Sequence, residues 1–549
     1  MSMPAAATAN LVLTGGRVMT MDAARPSAEA VAVQGGRIVA VGRSADVRPL
    51  VGPRTRVVQA GGRTVLPGFQ DAHVHPVEAG IGFLRCPLHD VPEEREAYVS
   101  AIATYAAAHP DLAWISGDGW YMAAFPGGTP RREDLDRAVP DRPAFFPNRD
   151  GHSGWANGPA LAAAGIDRTT PDPSDGRIER DPDGTPTGAL HEGAMDLVER
   201  LIPPPTGEEV VRGLGLAQAV LHGWGITAWQ DAIATPADLA AYRTFAERGL
   251  LTGRAIACQW WVRERGADQI DEMIEQRRIS TIGRLRAGSV KMMLDGVMET
   301  FTAAMLHPYL DRDGRPTANR GLSFIDPDAL KDYVTRLDAE GFQVHLHALG
   351  DRAVREGLDA IETARATNGP TDGRHHLAHL QVVDPADRPR FAALGAVANI
   401  QPLWACRDPQ VVELTLPFVT PDRAAFMYPF ASLRRAGATL AGGSDWTVST
   451  ADVLKEVEVA ITRRGRGLPD EGPLDPDEAL SLAEALAAFT IGSAYVNHLD
   501  DVTGTIEVGK LADLVVLDRD IGAAPELVGD GSVLLTLIEG VPVHDAGVL

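Results

Sequence analysis

Four segments of the chain place histidines or a carboxylate at the ends of apolar runs. In LPGFQDAHVH, His73 and His75 stand two residues apart on a run that reads as a strand entering a loop. Alternation along a strand puts residues i and i+2 on one face, roughly 6–7 Å apart, so two neutral imidazoles can close on one metal ion. An HxH pair alone also arises from exposed or hydrogen-bonded histidines. Three further segments extend the pattern: FQVHLHALGD carries His345 and His347, RHHLAHL carries His375, His376 and His379, and ATLAGGSDW ends near Asp445. In a parallel barrel the C-terminal ends of the strands gather the reactive groups. Histidines from three strand ends and a carboxylate from a fourth then converge on one spot. One or two divalent metal ions are the cofactor such a set suits, with Zn2+ the best match to its imidazoles.

A lysine on an apolar run adds a second signal. AGSVKMMLDG sets Lys291 among Val290, Met292 and Met293. Of the 51 lysines and arginines only four are lysines: Lys291, Lys331, Lys455 and Lys510. Where a plain positive charge is wanted, this chain uses arginine. Burying an ammonium is costly unless it is paired or chemically altered. A primary amine can shed its proton and form a carbamate with CO2 or a Schiff base. A snorkelling lysine with a solvated head is the structural alternative.

The elements that must position these residues follow from periodicity. Between about 64 and 497 short apolar runs alternate with amphipathic stretches. The strand candidates are RTVLPGFQDAHVH, GITAWQDA, RAIACQWW, AGSVKMMLDG, FQVHLHALGD, RHHLAHL, AVANIQP and ATLAGGSDW; DPDALKDYVTRLDAEG and DPDEALSLAEALAAFT are helix candidates. In the second, Asp475 reads as N-cap, Pro476 as the first helical residue and Glu478 as the partner in a capping box. This alternation predicts an α/β chain with a closed (β/α)8 TIM-type barrel. Residues 9–63 instead read as short strands punctuated by Gly15-Gly16, Gly35-Gly36 and Gly61-Gly62, and the same texture returns near the far end. The expected division is a small β-sandwich assembled from 1–63 and 500–549 around a barrel at 64–499. Residues 78–190, rich in Pro and Gly, form a loop-rich insertion over the active-site face in this reading.

Composition bounds the remainder. The 549 residues, 45% hydrophobic and 23% charged, are ordinary for a soluble globular protein large enough for a barrel and an accessory unit. A net charge of −23 without a basic stretch repels phosphate backbones and argues against nucleic acid. No apolar run reaches the roughly 18 residues needed to cross a bilayer, and the first residues lack the basic start of a secretory signal. Cys86, Cys258 and Cys406 are odd in number and far apart, which supports neither a disulfide framework nor a thiolate zinc site. The expected setting is the cytoplasm and the expected partner a small-molecule substrate, with a homodimer compatible with the reading.

The order HxH, strand lysine, HxxGD, later histidine and GSDW resembles the amidohydrolase superfamily, specifically its amidohydrolase-3 branch of YtcJ-like proteins and N-substituted formamide deformylases. Further segments carry the likeness along nearly the whole chain: RDGHSGWANGPAL, TPTGALHEGAM, HLAHLQVVDPAD, IQPLW and GTIEVGKLADLVVLD. Carried over by position, the resemblance implies metal ligation by His73, His75, Lys291 as carbamate, His347, His379 and Asp445, with His345 as a supporting partner. It puts His152 near the substrate, with Trp155 and Asn157 beside it, and makes Glu192 a candidate for the same region. Two positions depart from the family pattern: Ala378 stands where many relatives have Glu, and Thr447 where many have Pro. The chemistry implied is hydrolysis of a C–N bond in a small N-acyl or N-formyl amine, with Asp445 shuttling the proton and His152 stabilising the oxyanion. Trp114, Trp120, Phe125, Trp155, Trp404 and Trp446, if they face the pocket, favour an apolar or aromatic substrate. The competing readings are an isomerase or decarboxylase on the same scaffold, and a metal-free binding protein.

Overall fold

Side-chain alternation decides how each barrel strand faces. In Gln343–Ala348, Val344 and Leu346 are fully buried in the main apolar core, while His345 reaches inward to His73. Burying each such aliphatic side chain contributes about 1.5–3 kcal/mol. The helix Pro327–Ala339 supplies a facing stripe: Leu330, Val334 and Leu337 are buried at helical spacing. Asp326 caps it by accepting from the N–H groups of Asp328 and Ala329, with proline at the start.

The computed structural model describes residues 8–468 and 471–548. The first seven residues, on which the absence of a secretory signal was partly read, lie outside them. Eight parallel strands form one sheet in chain order: Phe69–Val74, Ile226–Ala234, Arg254–Trp260, Leu285–Met293, Gln343–Ala348, His376–His379, Val397–Ile400 and Thr439–Gly442. Each coincides with one of the eight runs picked out above. Just past the eighth strand the sheet nearly closes on the first: Asp445 N–H donates to His73 O and His75 N–H donates to Trp446 O, both at 2.8 Å. The chain is therefore an α/β protein with a nearly closed eight-stranded parallel barrel. No helix among the described residues is long and apolar enough to cross a membrane, and the three cysteines are buried and unpaired.

Two expectations change. The DPDE segment does not begin a long helix. Asp475 caps only the short turn Pro476–Glu478, and the helix Leu482–Ala487 starts from Ser481, whose hydroxyl and Glu484 form the capping box. The inserted segment is not mainly loop. Its six strands pair in the order Gly176–Arg180, Pro186–Glu192, Ser153–Ala156, Ala144–Pro147, Ile115–Asp118 and Cys86–Pro87. Two apolar clusters of its own support this sheet, one around Trp120 and Trp155, the other around Phe145 and Leu190.

The β-rich ends meet in space. Thr64–Pro67 pairs with Leu514–Leu517 from the far end and with Arg17–Met19 from the near end, within one six-stranded sheet. A four-stranded sheet from the near end shares an apolar cluster with it, in which Leu13 and Val31 pack with Leu514 and Leu535.

Candidate active site

The turn Gly443-Ser444-Asp445 after the eighth strand is stitched to the first strand. Asp71 Oδ2 accepts from the Ser444 hydroxyl at 2.5 Å, and Oδ1 accepts from the N–H groups of Ser444 (3.1 Å) and His73 (3.0 Å). A Cβ on Gly443 would lie 2.6 Å from the His73 Cβ, so the approach requires glycine. Ligand-type atoms of His73, His379 and Asp445 consequently lie within 4.8 Å of one another. His75 Nε2 sits 2.9 Å from Asp445 Oδ1, and Lys291 Nζ 3.4 Å from His73 Nε2. The His347 ring centre is 4.6 Å from that of His379. All six residues line one cavity of about 710 Å3.

Supporting groups fix these side chains. His345 Nε2 lies 2.8 Å from His73 Nδ1, leaving His73 Nε2 toward Asp445 and Lys291. Asp295 Oδ1 is 3.2 Å from His347 Nδ1, and the same carboxylate accepts from the N–H groups of Ala304, Leu349 and Gly350. Gln401 Oε1 accepts from His379 N–H at 2.8 Å. Ala378 pairs in register with His347 and brings no polar group, so Gln401 supplies the anchoring contact to His379. Asp71, Asp295 and Gln401 were not singled out from sequence, although DAHVH, MMLDG and IQPLW each contain one of them. Asp445, His379 and Glu192 all hold positive φ, at 52°, 81° and 52°, conformations that side-chain-bearing residues adopt rarely and that concentrate at functional sites.

The electrostatics suit metal ligation. Burial, then the neighbouring Lys291, holds His73 well below the ordinary imidazole value. Burial does the same to His347 and brings His379 down to about 3. All three are neutral imidazoles. Burial also opposes charge on His75, but the Asp445 carboxylate outweighs it and raises that imidazole's pKa. Asp445 itself is held low because the hydrogen bond to His75 overcomes its own burial. Burial brings the Lys291 ammonium down to about 8 and pushes the Asp71 and Asp295 carboxyls up to about 7. Among the described residues, Nδ1 of His75 and Nδ1 of His379 are buried without a hydrogen-bond partner. Unpaired buried nitrogens are costly unless a ligand uses them. Neutral imidazoles beside one carboxylate fit a divalent metal.

His152 comes from the insertion. Its Nδ1 lies 2.8 Å from Glu192 Oε2, and its ring centre 5.4 Å from that of His347. Burial works against its charge, but Glu192 outweighs burial and lifts His152 to about 9. Glu192 is correspondingly lowered despite its burial, and it also accepts from Thr302 Oγ1 at 2.6 Å.

Four expected substrate contacts do not reach the cavity. Trp120 and Trp155 are buried in the core of the insertion, their indole N–H groups donating to Phe146 O and Arg131 O. Asn157 caps the helix Gly158–Ala164 and donates to Val139 O and Arg142 O. Trp446 packs near Phe83, its side chain off the cavity wall. Of the aromatic set proposed for the pocket, Trp404 does line it, stacked on His379 at 5.3 Å.

Residues 56–544 match the model of the amidohydrolase family designated Amidohydro_3. The chain belongs to the amidohydrolase family. This amidohydrolase is 30% identical to Protein LONG AFTER FAR-RED 3 of Arabidopsis thaliana, over 98% of this chain and 92% of that one. It is 29% identical to the N-substituted formamide deformylase of Arthrobacter pascens, over 97% and 98% of the two chains. The crystal structure of an uncharacterized metal-dependent hydrolase from Pyrococcus furiosus shares the fold, with a TM-score of 0.69 at 24% identity, covering 93% of this chain and 99% of that one.

Proposed function

We propose that this amidohydrolase hydrolyses the C–N bond of a small N-acyl or N-formyl amine. The observation that carries the reading is the meeting of His73, His75, His379 and Asp445 with the His152–Glu192 pair on one cavity. The 29% identity with an N-substituted formamide deformylase supports the same substrate class. His73, His75, His347, His379 and Asp445 are the residues that would hold the metal, zinc being the best match. A bound divalent ion supplies Lewis acidity to water and to the substrate carbonyl.

The chain's own groups do the rest. Asp445, kept ionised, takes a proton from the attacking water and returns it to the departing nitrogen. His152, cationic at neutral pH beside Glu192, donates a hydrogen bond to the carbonyl oxygen as negative charge develops there. Met293, Val297, Leu349 and Trp404 give the substrate's apolar portion a surface. Incubation with a panel of N-formyl and N-acetyl amines should release free amine, with loss on chelation and recovery on adding zinc. No amine release by metal-loaded protein from any member would overturn the reading.

Lys291 deepens this proposal. It is 2% exposed, and among the described residues no carboxylate lies within ion-pair distance of its Nζ. We propose that its amine combines with CO2, losing a proton, to give an anionic carbamate beside His73 that can bridge two metal ions. A carbamate resonance after growth with isotope-labelled bicarbonate tests this; its absence from metal-loaded protein would contradict it. We also propose that the two β-rich ends form one sandwich unit, with the barrel beginning near Gly68 because Thr64–Pro67 belongs to the terminal sheet.

A further inference from the structure

Part of the cavity wall lies outside the machinery described above. Glu299, Asp408 and Asp150 all line it, and among the described residues none is ion-paired to an arginine or lysine. The donors that reach them are neutral: Thr415 Oγ1 to Glu299 at 2.9 Å, Val411 N–H to Asp408 at 2.7 Å together with the Tyr121 hydroxyl, and His152 N–H and Gln410 Nε2 to Asp150 at 3.1 and 3.5 Å. Glu93, on the same wall, differs in being held by Arg149 at 2.9 Å. Burial, then repulsion from Asp150 and Asp408, pushes Glu299 up to about 7. Burial, then repulsion from Glu93, brings Asp408 to about 6.

Two further groups point to a ligand independently of these acids. Tyr428 is 2% exposed, lines the cavity near Glu299 and Asp408, and its hydroxyl has no hydrogen-bond partner among the described residues. Gln381 is also 2% exposed and lines the cavity, with Oε1 buried and unpartnered. The two are neighbours, since Tyr428 N–H donates to Gln381 O at 2.8 Å. Around Glu299 and Asp408 the wall thus offers acceptors without a paired arginine or lysine, whereas Asp150 lies beside the cationic His152.

We infer that this wall is a subsite for a protonated amine on the substrate, whose N–H groups donate to Glu299 and Asp408, with Tyr428 and Gln381 as further acceptors. An ammonium carries three donors and no acceptor, which matches what the wall lacks. The inference rests on the reading of this cavity as the substrate site. It narrows the substrate to an N-acyl amine bearing a second, cationic nitrogen.

The test is calorimetric binding of n-hexylammonium and hexan-1-ol near pH 8, about one unit above the Glu299 value. The ammonium should bind about tenfold or more tightly than the alcohol. Glu299→Gln and Tyr428→Phe should each shrink that ratio. Equal binding of the two probes by the wild type, or a ratio unchanged in both variants, would overturn the inference. The two readings fail separately. Strong ammonium preference without cleavage of any amide removes the proposed hydrolysis, whereas cleavage of neutral amides without ammonium preference removes the subsite.

Discussion

The barrel and the insertion both contribute to the cavity, but by different rules. Barrel strands deliver His73, Lys291, His347 and His379 through inward-facing positions whose outward neighbours, such as Val344 and Leu346, are spent on packing. The insertion must first fold itself. Trp120, Phe125 and Trp155 pack edge-on at 5.2–6.5 Å between ring centres, which completes a core and leaves the turn at His152 and the strand end at Glu192 to reach the cavity. Regular elements therefore assign side chains to chemistry by register, whereas an insertion gives up its largest aromatics to its own stability.

Mutations can break or sharpen that contrast. The largest effect belongs to the barrel: Asp445→Asn should lower turnover by about 10²–10⁴, because an amide can neither take nor return the proton. Amine release within about tenfold of wild type would mean that Asp445 is not the proton shuttle. An intermediate effect belongs to the contact between regions. His152 stays protonated up to about 9, so kcat/KM should fall as pH rises through that value. Glu192→Gln removes the stabilising carboxylate and should move the falling limb down toward the ordinary histidine value of 6.5, with a loss of about tenfold or more near pH 8. A limb that stays in place would detach Glu192 from the catalytic role of His152. The smallest kinetic effect belongs to the insertion's core: Trp155→Phe should cost about 1–3 kcal/mol of stability in thermal or urea unfolding. Its kcat/KM should stay within about twofold, and a larger loss would return Trp155 to the substrate.

Register explains what could be read in the sequence. The eight strand segments were legible because apolar runs punctuated by helix signals recur along the chain, and the histidines stand at their ends. Asp295 and Asp71 escaped notice because a lone carboxylate beside a motif looks the same whether it faces solvent or holds a histidine. Glu299, Asp408 and Tyr428 escaped because three distant segments supply them, and nothing local in the chain marks their convergence. Trp120 and Asn157 were misassigned because an indole or an amide that satisfies a buried carbonyl has the same sequence signature as one that meets a substrate. The capping box at Ser481 was placed six residues too early, since DPDE and SLAE offer the same local chemistry.

Metal content tests the central claim most directly. After equilibration with zinc and removal of excess ion, elemental analysis should find about one to two equivalents per chain, as expected for converging imidazoles and a carboxylate. Zinc at background level in folded protein would contradict a site formed by His73, His75, His379 and Asp445.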